Sequence, residues 1–152
     1  MGYFLFLFCC QVLIIVLISA SYLLYAVSSC RDLGITVSSD LSPREHVNTI
    51  VLKAHQRANM ILKCFISTDT KVLSGAYYTY VRPILEYNSV VWSPVLKCEI
   101  GALERVQRRF TKRLRGMKEL SYIDRLTKLE LITLELRRLH NDLVMRYEIV
   151  LV

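Results

Sequence analysis

The sequence predicts an all-α fold with one short β-strand and an apolar helix at its N-terminus. Three observations predict it. From residue 42 onward, apolar residues recur every three to four positions in one segment after another. A single run, 33–39, is short and rich in β-branched residues. The first 30 of the 152 residues hold no Lys, Arg, Asp or Glu, so all 20 basic and 13 acidic residues, and the whole net charge of +7, fall in 31–152.

The leader, "YFLFLFCCQVLIIVLISASYLLYAV" (3–27), is interrupted only by Gln11, Ser19 and Ser21. As a helix it would reach about 37 Å, enough to cross a hydrocarbon core of roughly 30 Å. It has no basic residue ahead of the apolar run, and the run exceeds the usual signal length. An uncleaved membrane span therefore fits better than a cleaved signal, for which Ala26-Val27-Ser28 would be the cleavage site. Arg31 and Arg44 behind the span place the C-terminal side in the cytosol.

"LGITVSS" (33–39) reads as one strand. A lone strand forms no sheet, which points to a missing partner. The segment 42–67 reads as a helix. Ser42 is its N-cap, Pro43 its first residue and Glu45 the capping-box acid, with Val47, Ile50, Val51, Ala54, Ala58, Ile61, Leu62 and Phe65 on one face. A second helix starts at Asp69 or Thr70 and breaks near Val81 ahead of Pro83. A third covers about 97–115, with Gly116 as its C-cap. Ser121 with Asp124 opens a further helix, and Thr133 caps a last one whose packing seam is Leu136, Leu139, Leu143, Tyr147 and Val150. The organisation expected is an apolar segment (1–30), a strand (31–40) and a helical domain (41–152).

The chemistry is selective. Neither a Walker loop, a G-x-G-x-x-G nor a G-x-S-x-G occurs, and the aspartates are scattered. The five cysteines form no CxxC and no zinc-spaced cluster, which fits a reducing compartment; Cys64 reads as core packing. His46, His55 and His140 lie apart on surface-leaning helix positions. The sequence thus predicts no catalytic residue, no metal ligand, no cofactor and no small-molecule substrate.

What it does carry is "RVQRRFTKRLRGMK" (105–118). Ile100, Leu103, Val106, Phe110, Leu114 and Met117 make the buried face of that helix, and Arg105, Arg108, Arg109, Lys112 and Arg115 line the other. With Arg113 and Lys118 the stretch has seven bases, five of them Arg, and Glu104 is the one acid between 100 and 118. Ion pairing along the helix cannot account for the pattern. Arg suits bidentate phosphate contact, so the stretch reads as a nucleic-acid backbone interface. Tyr77, Tyr78, Tyr80 and Trp92 would stack on bases if exposed, but their helical spacing favours the core.

From Arg31 to the C-terminus, about four-fifths of the chain, the order of motifs resembles one family. "RDLGITVSSDLSPREHVNTIVLKAHQRANMILKCF", "YVRPILEYNSVVWSP", "IGALERVQRRFTKRLRGM" and "LSYIDRLTKLELITLELRRLHNDLVMRYEIV" are similar to the segment following the catalytic core in reverse transcriptases of LINE-type, non-LTR retrotransposons. The pairing of Val81-Arg82-Pro83-Ile84-Leu85-Glu86-Tyr87 with Gln107-Arg108-Arg109-Phe110 is its most specific part. The resemblance implies the last palm strand, then the thumb and connecting helices that grip primer and template. It also implies a truncated remnant, because the family's paired aspartates have no counterpart in this sequence. Residues 1–30 then become host sequence read in frame. Two departures stand out. Glu130 replaces the pattern's Gly between two leucines, so continuous helix is expected there, and Gly75 replaces a longer side chain. The alternative readings are a single-span membrane protein with a basic cytosolic domain, and an open reading frame without function. Oligomeric state stays open.

Overall fold

The computed structural model describes residues 27–66 and 69–151. The expected apolar N-terminal helix falls on 3–27 and lies outside the described residues, Val27 apart. The described chain is mostly helical with a small two-stranded sheet: β1 (Ser29–Asp32), β2 (Ile35–Ser38), α1 (Arg44–Cys64), α2 (Thr70–Tyr80), α3 (Arg82–Glu86), α4 (Ser89–Trp92), α5 (Lys97–Lys112), α6 (Tyr122–Lys128) and α7 (Leu134–Leu151). None of the described helices is long and apolar enough to cross a membrane.

The lone strand is corrected to a hairpin. β1 and β2 pair antiparallel, Asp32 opposite Ile35 and Ser29 opposite Ser38. Leu33 (φ +45°) and Gly34 (φ +87°) form the two-residue turn between them. Positive φ at both positions matches the right-handed twist of the flanking strands. The strand's partner is thus the four residues before it, and the argument from a missing partner falls.

α1 forms much as the sequence dictates, burying His46, Val47, Ile50, Ala54, Ala58 and Ile61. Its capping differs from the expected box. The Arg44 amide donates to Ser42 Oγ (3.4 Å), but Glu45 accepts from the Ser38 hydroxyl (3.3 Å) and ties the helix to β2. His46 is corrected from surface to core: it is 3% exposed, 5.2 Å from the Trp92 ring, and its Nδ1 accepts from the Thr36 amide (3.2 Å). Burial, then Lys53 and Arg31, lower its pKa, which keeps that nitrogen an acceptor. Cys64 is corrected the other way and is exposed, as are Cys30 and Cys98.

Asp69 caps α2 by accepting from the Lys71 amide (3.0 Å). Pro83 ends α2 and sits in the first turn of α3, where its missing N–H is harmless. The core placement expected for four aromatics holds for Tyr77 and Trp92, Tyr77 stacked on Phe110 at 4.8 Å; Tyr78 is half-buried, and Tyr80 is corrected to the surface, 53% exposed.

The core runs from Ile35 and α1 through Leu73, Tyr77, Val81 and Leu85 to Leu103, Val106, Phe110 and Leu134. α1 and α5 lie side by side and parallel. Arg44 meets Glu99 near their starts (3.6 Å), and Arg113 Nη1 donates to Asn59 Oδ1 past the end of α5 (2.6 Å).

The continuous helix expected through Glu130 does not form. α6 closes with two bonds of a Schellman cap: the Glu130 amide donates to Thr127 O (3.2 Å) and the Leu131 amide to Leu126 O (2.9 Å). Glu130 therefore takes the left-handed position, φ +55°, where glycine is the usual residue. Glu130→Gly is expected to raise stability by roughly 1 kcal/mol, read as an upward shift of the urea midpoint; no change would mean the position is unstrained. At Gly75 an added Cβ would meet no atom within 4 Å, so nothing in the packing requires glycine there.

Candidate nucleic-acid interface

All seven sequence-predicted cations, Arg105, Arg108, Arg109, Lys112, Arg113, Arg115 and Lys118, are exposed. They do not form one stripe on one helix. α5 ends at Lys112, so Arg105, Arg108, Arg109 and Lys112 share its outer face, while Arg113, Arg115 and Lys118 lie in the turns beyond it. Gly116 (φ +72°) shapes those turns rather than capping the helix directly. At 100° per residue the four helical cations occupy about 100° of arc, and the inner face carries Leu103, Val106, Gln107, Phe110 and Thr111.

Among the described residues, none of the seven has a carboxylate oxygen within 4 Å. The ion pairs that do occur are Arg44–Glu99, Arg82–Glu86 and Arg137–Glu86, all elsewhere. The two acids of α5 are both turned inward: Glu99 is 6% exposed and Glu104 8%. The face therefore keeps its positive field.

Its edges are held by neighbouring elements. Arg108 lies over the Tyr122 ring at 4.6 Å, and the buried Arg125 approaches the same ring at 5.7 Å. On the other edge Arg113 is fixed by Asn59. Half-buried His55 sits near Arg105 and Arg109; burial first, then these two cations, lower its pKa. An ordered guanidinium loses less rotamer freedom on meeting a phosphate than a free one.

Behind the face lies a polar network that pattern reading missed. Tyr77 Oη donates to Gln107 Oε1 (3.1 Å), and Gln107 Nε2 donates to Tyr122 Oη (3.2 Å) and to Ile132 O (3.0 Å). Tyr122 Oη donates to Glu104 Oε1, and Glu104 Oε2 accepts from the Leu134 amide (3.0 Å) at the start of α7. Burial pushes both tyrosine hydroxyls well up, so they remain donors. The signal was a glutamine among apolar neighbours on the inner face of α5. A second joint links Arg137 to Glu86, with Arg137 Nη2 on Glu86 Oε2 at 3.1 Å.

Among the described residues there is no group of three His, Cys, Asp or Glu that could hold a metal ion. The open clefts are shallow. One, about 530 Å³, is lined by Ser38, Asp40, Arg44 and Glu45; another, about 350 Å³, lies between α4 and α7.

No family model matches the chain, and no solved structure does. A curated protein of Caenorhabditis elegans, described as uncharacterized, is 29% identical to it over 101 residues, 64% of this chain and 51% of that protein. The chain thus spans about half the length of the curated relative it matches.

Proposed function

We propose that this chain is the palm-end and thumb-like segment of a LINE-type, non-LTR reverse transcriptase, and that it binds nucleic-acid backbone without sequence preference. Arg105, Arg108, Arg109, Lys112, Arg113, Arg115 and Lys118 are the contacts. The observation that carries the binding is their exposure without a carboxylate inside 4 Å among the described residues.

The ancestry draws support from how its motifs meet. Glu86 of "VRPILEY" pairs with Arg137 of "LRRLHNDL", and Gln107 of "QRRF" bonds Tyr77 just ahead of "VRPILEY". Glu130 occupies a left-handed position where the family pattern has Gly. On this reading the apolar N-terminal stretch is not part of the inherited segment.

Chemically the segment grips and does not react. These 152 residues hold no paired aspartates to bind the two metal ions of nucleotide transfer. Titrating the purified chain on fluorescent duplexes of unrelated sequence is expected to give equal affinities, and primer extension with Mg²⁺ to give no product. A preferred sequence would sink the binding claim, and incorporation above blank would sink the claim of no catalysis. If the chain resists carbonate extraction from membranes, it is instead a single-span protein whose basic face meets an anionic leaflet.

A further inference from the structure

The basic face of α5 has a second wall. α1 and α5 run parallel, and the contacts at their two ends share one register: Arg44–Glu99 and Asn59–Arg113 join residues 55 and 54 apart in sequence. One turn back from Asn59 is His55, and one turn back from Arg113 is Arg109. His55 therefore stands beside Arg109 in the groove between the helices, half-buried, with Arg105 a turn further back on α5. Asn59, on the same ridge of α1, already holds Arg113, its Oδ1 accepting from Nη1 at 2.6 Å.

The surroundings of this imidazole carry one sign of charge. The charged groups acting on it are Arg109 and Arg105, both from α5. Its neighbours one turn away on α1, Val51, Leu52, Ala58 and Asn59, do not titrate. Among the described residues no carboxylate oxygen lies within 4 Å of it. Burial first, then Arg109, then Arg105, hold its pKa below the ordinary value, so the free chain carries it neutral at pH 7. An anion settling on Arg105 and Arg109 reverses the field at the ring. The proton those guanidiniums repel is then held by the anion, and the imidazolium N–H becomes a charge-assisted donor to it.

Resting on the backbone-binding reading of α5, we propose that the interface extends onto α1, where His55 takes up a proton as a backbone phosphate settles on Arg105 and Arg109. The grip then tightens as pH falls. Between the free pKa of His55 and its higher value in the complex, binding takes up one proton, and log affinity falls by up to about 1 for each unit rise in pH. Outside that window the contribution of His55 is flat.

The test is fluorescence anisotropy of a rhodamine-labelled duplex of arbitrary sequence, titrated with the full chain in non-ionic detergent at constant ionic strength. From about pH 7.5 to 5.5 the affinity is expected to rise at least threefold, and His55→Gln is expected to flatten that rise. Circular dichroism at each pH sets aside any unfolding caused by protonation of His46, which is buried beside Trp92. Proton NMR of the unaltered chain is read in parallel, on the imidazole signal that disappears in His55→Gln or His55→Asn. That signal is expected to titrate at higher pH with the duplex bound than without it. A flat pH profile, a rise that persists in His55→Gln, or a His55 titration that the duplex leaves in place would each overturn the proposal while leaving binding by α5 standing. No binding at any pH would overturn both.

Discussion

Glu104→Ala is expected to remove about 3–5 kcal/mol of folding stability, the largest effect of any single substitution outside the apolar core. The reason is the number of groups that depend on one buried carboxylate. Its Oε1 accepts from Tyr122 Oη and its Oε2 from the Leu134 amide, an otherwise unpaired donor at the head of α7. Hydrogen bonds to a charged group contribute about 1.5–3 kcal/mol each, and a buried donor left alone costs a further ~1–3. A domain of this size has about 5–15 kcal/mol in total. The variant should therefore unfold at far lower urea with α7 loosened, while Glu104→Gln, which keeps an acceptor oxygen, should lose less. A midpoint shift worth under 1 kcal/mol would mean that the network does not hold α5, α6 and α7 together.

Converting Arg105, Arg108, Arg109 and Lys112 together to glutamine is expected to weaken duplex binding on the order of 10²–10³-fold at 0.1 M salt. It should also flatten the slope of log affinity against log salt by about 3.6, near 0.9 for each phosphate contact removed. All four side chains are exposed, so stability should change little. The split between the two readouts matters. A loss of affinity with an unchanged slope would mean that the helix positions other contacts rather than making its own. Unchanged affinity would move the interface elsewhere.

Periodicity made the outer face of α5 legible because it depends on one helix alone. Once Leu103, Val106 and Phe110 face inward, Arg105, Arg108, Arg109 and Lys112 must face outward. The parts that were not legible depend on partners far along the chain. Glu104 looked like a stray acid within a basic run, and its bonds to Tyr122 and Leu134 reach across 18 and 30 residues. β1 was invisible because Ser29-Cys30-Arg31-Asp32 has no β-branched residue; the Leu33-Gly34 turn, not strand propensity, sets its pairing. His46 was misplaced because its burial comes from Trp92, on a different helix. The α7 stripe of Leu136, Leu139, Leu143, Tyr147 and Val150 was read correctly as apolar and wrongly as packed, since periodicity along one helix does not say which of its sides meets a neighbour, and all five are exposed.

The most direct measurement is the salt dependence of binding by the unaltered chain to a duplex of arbitrary sequence. Four helical cations, and up to three more in the turns beyond Lys112, predict a slope of roughly −4 to −6. A slope shallower than −1, or no binding at 50 mM salt, would contradict a phosphate-gripping face on α5.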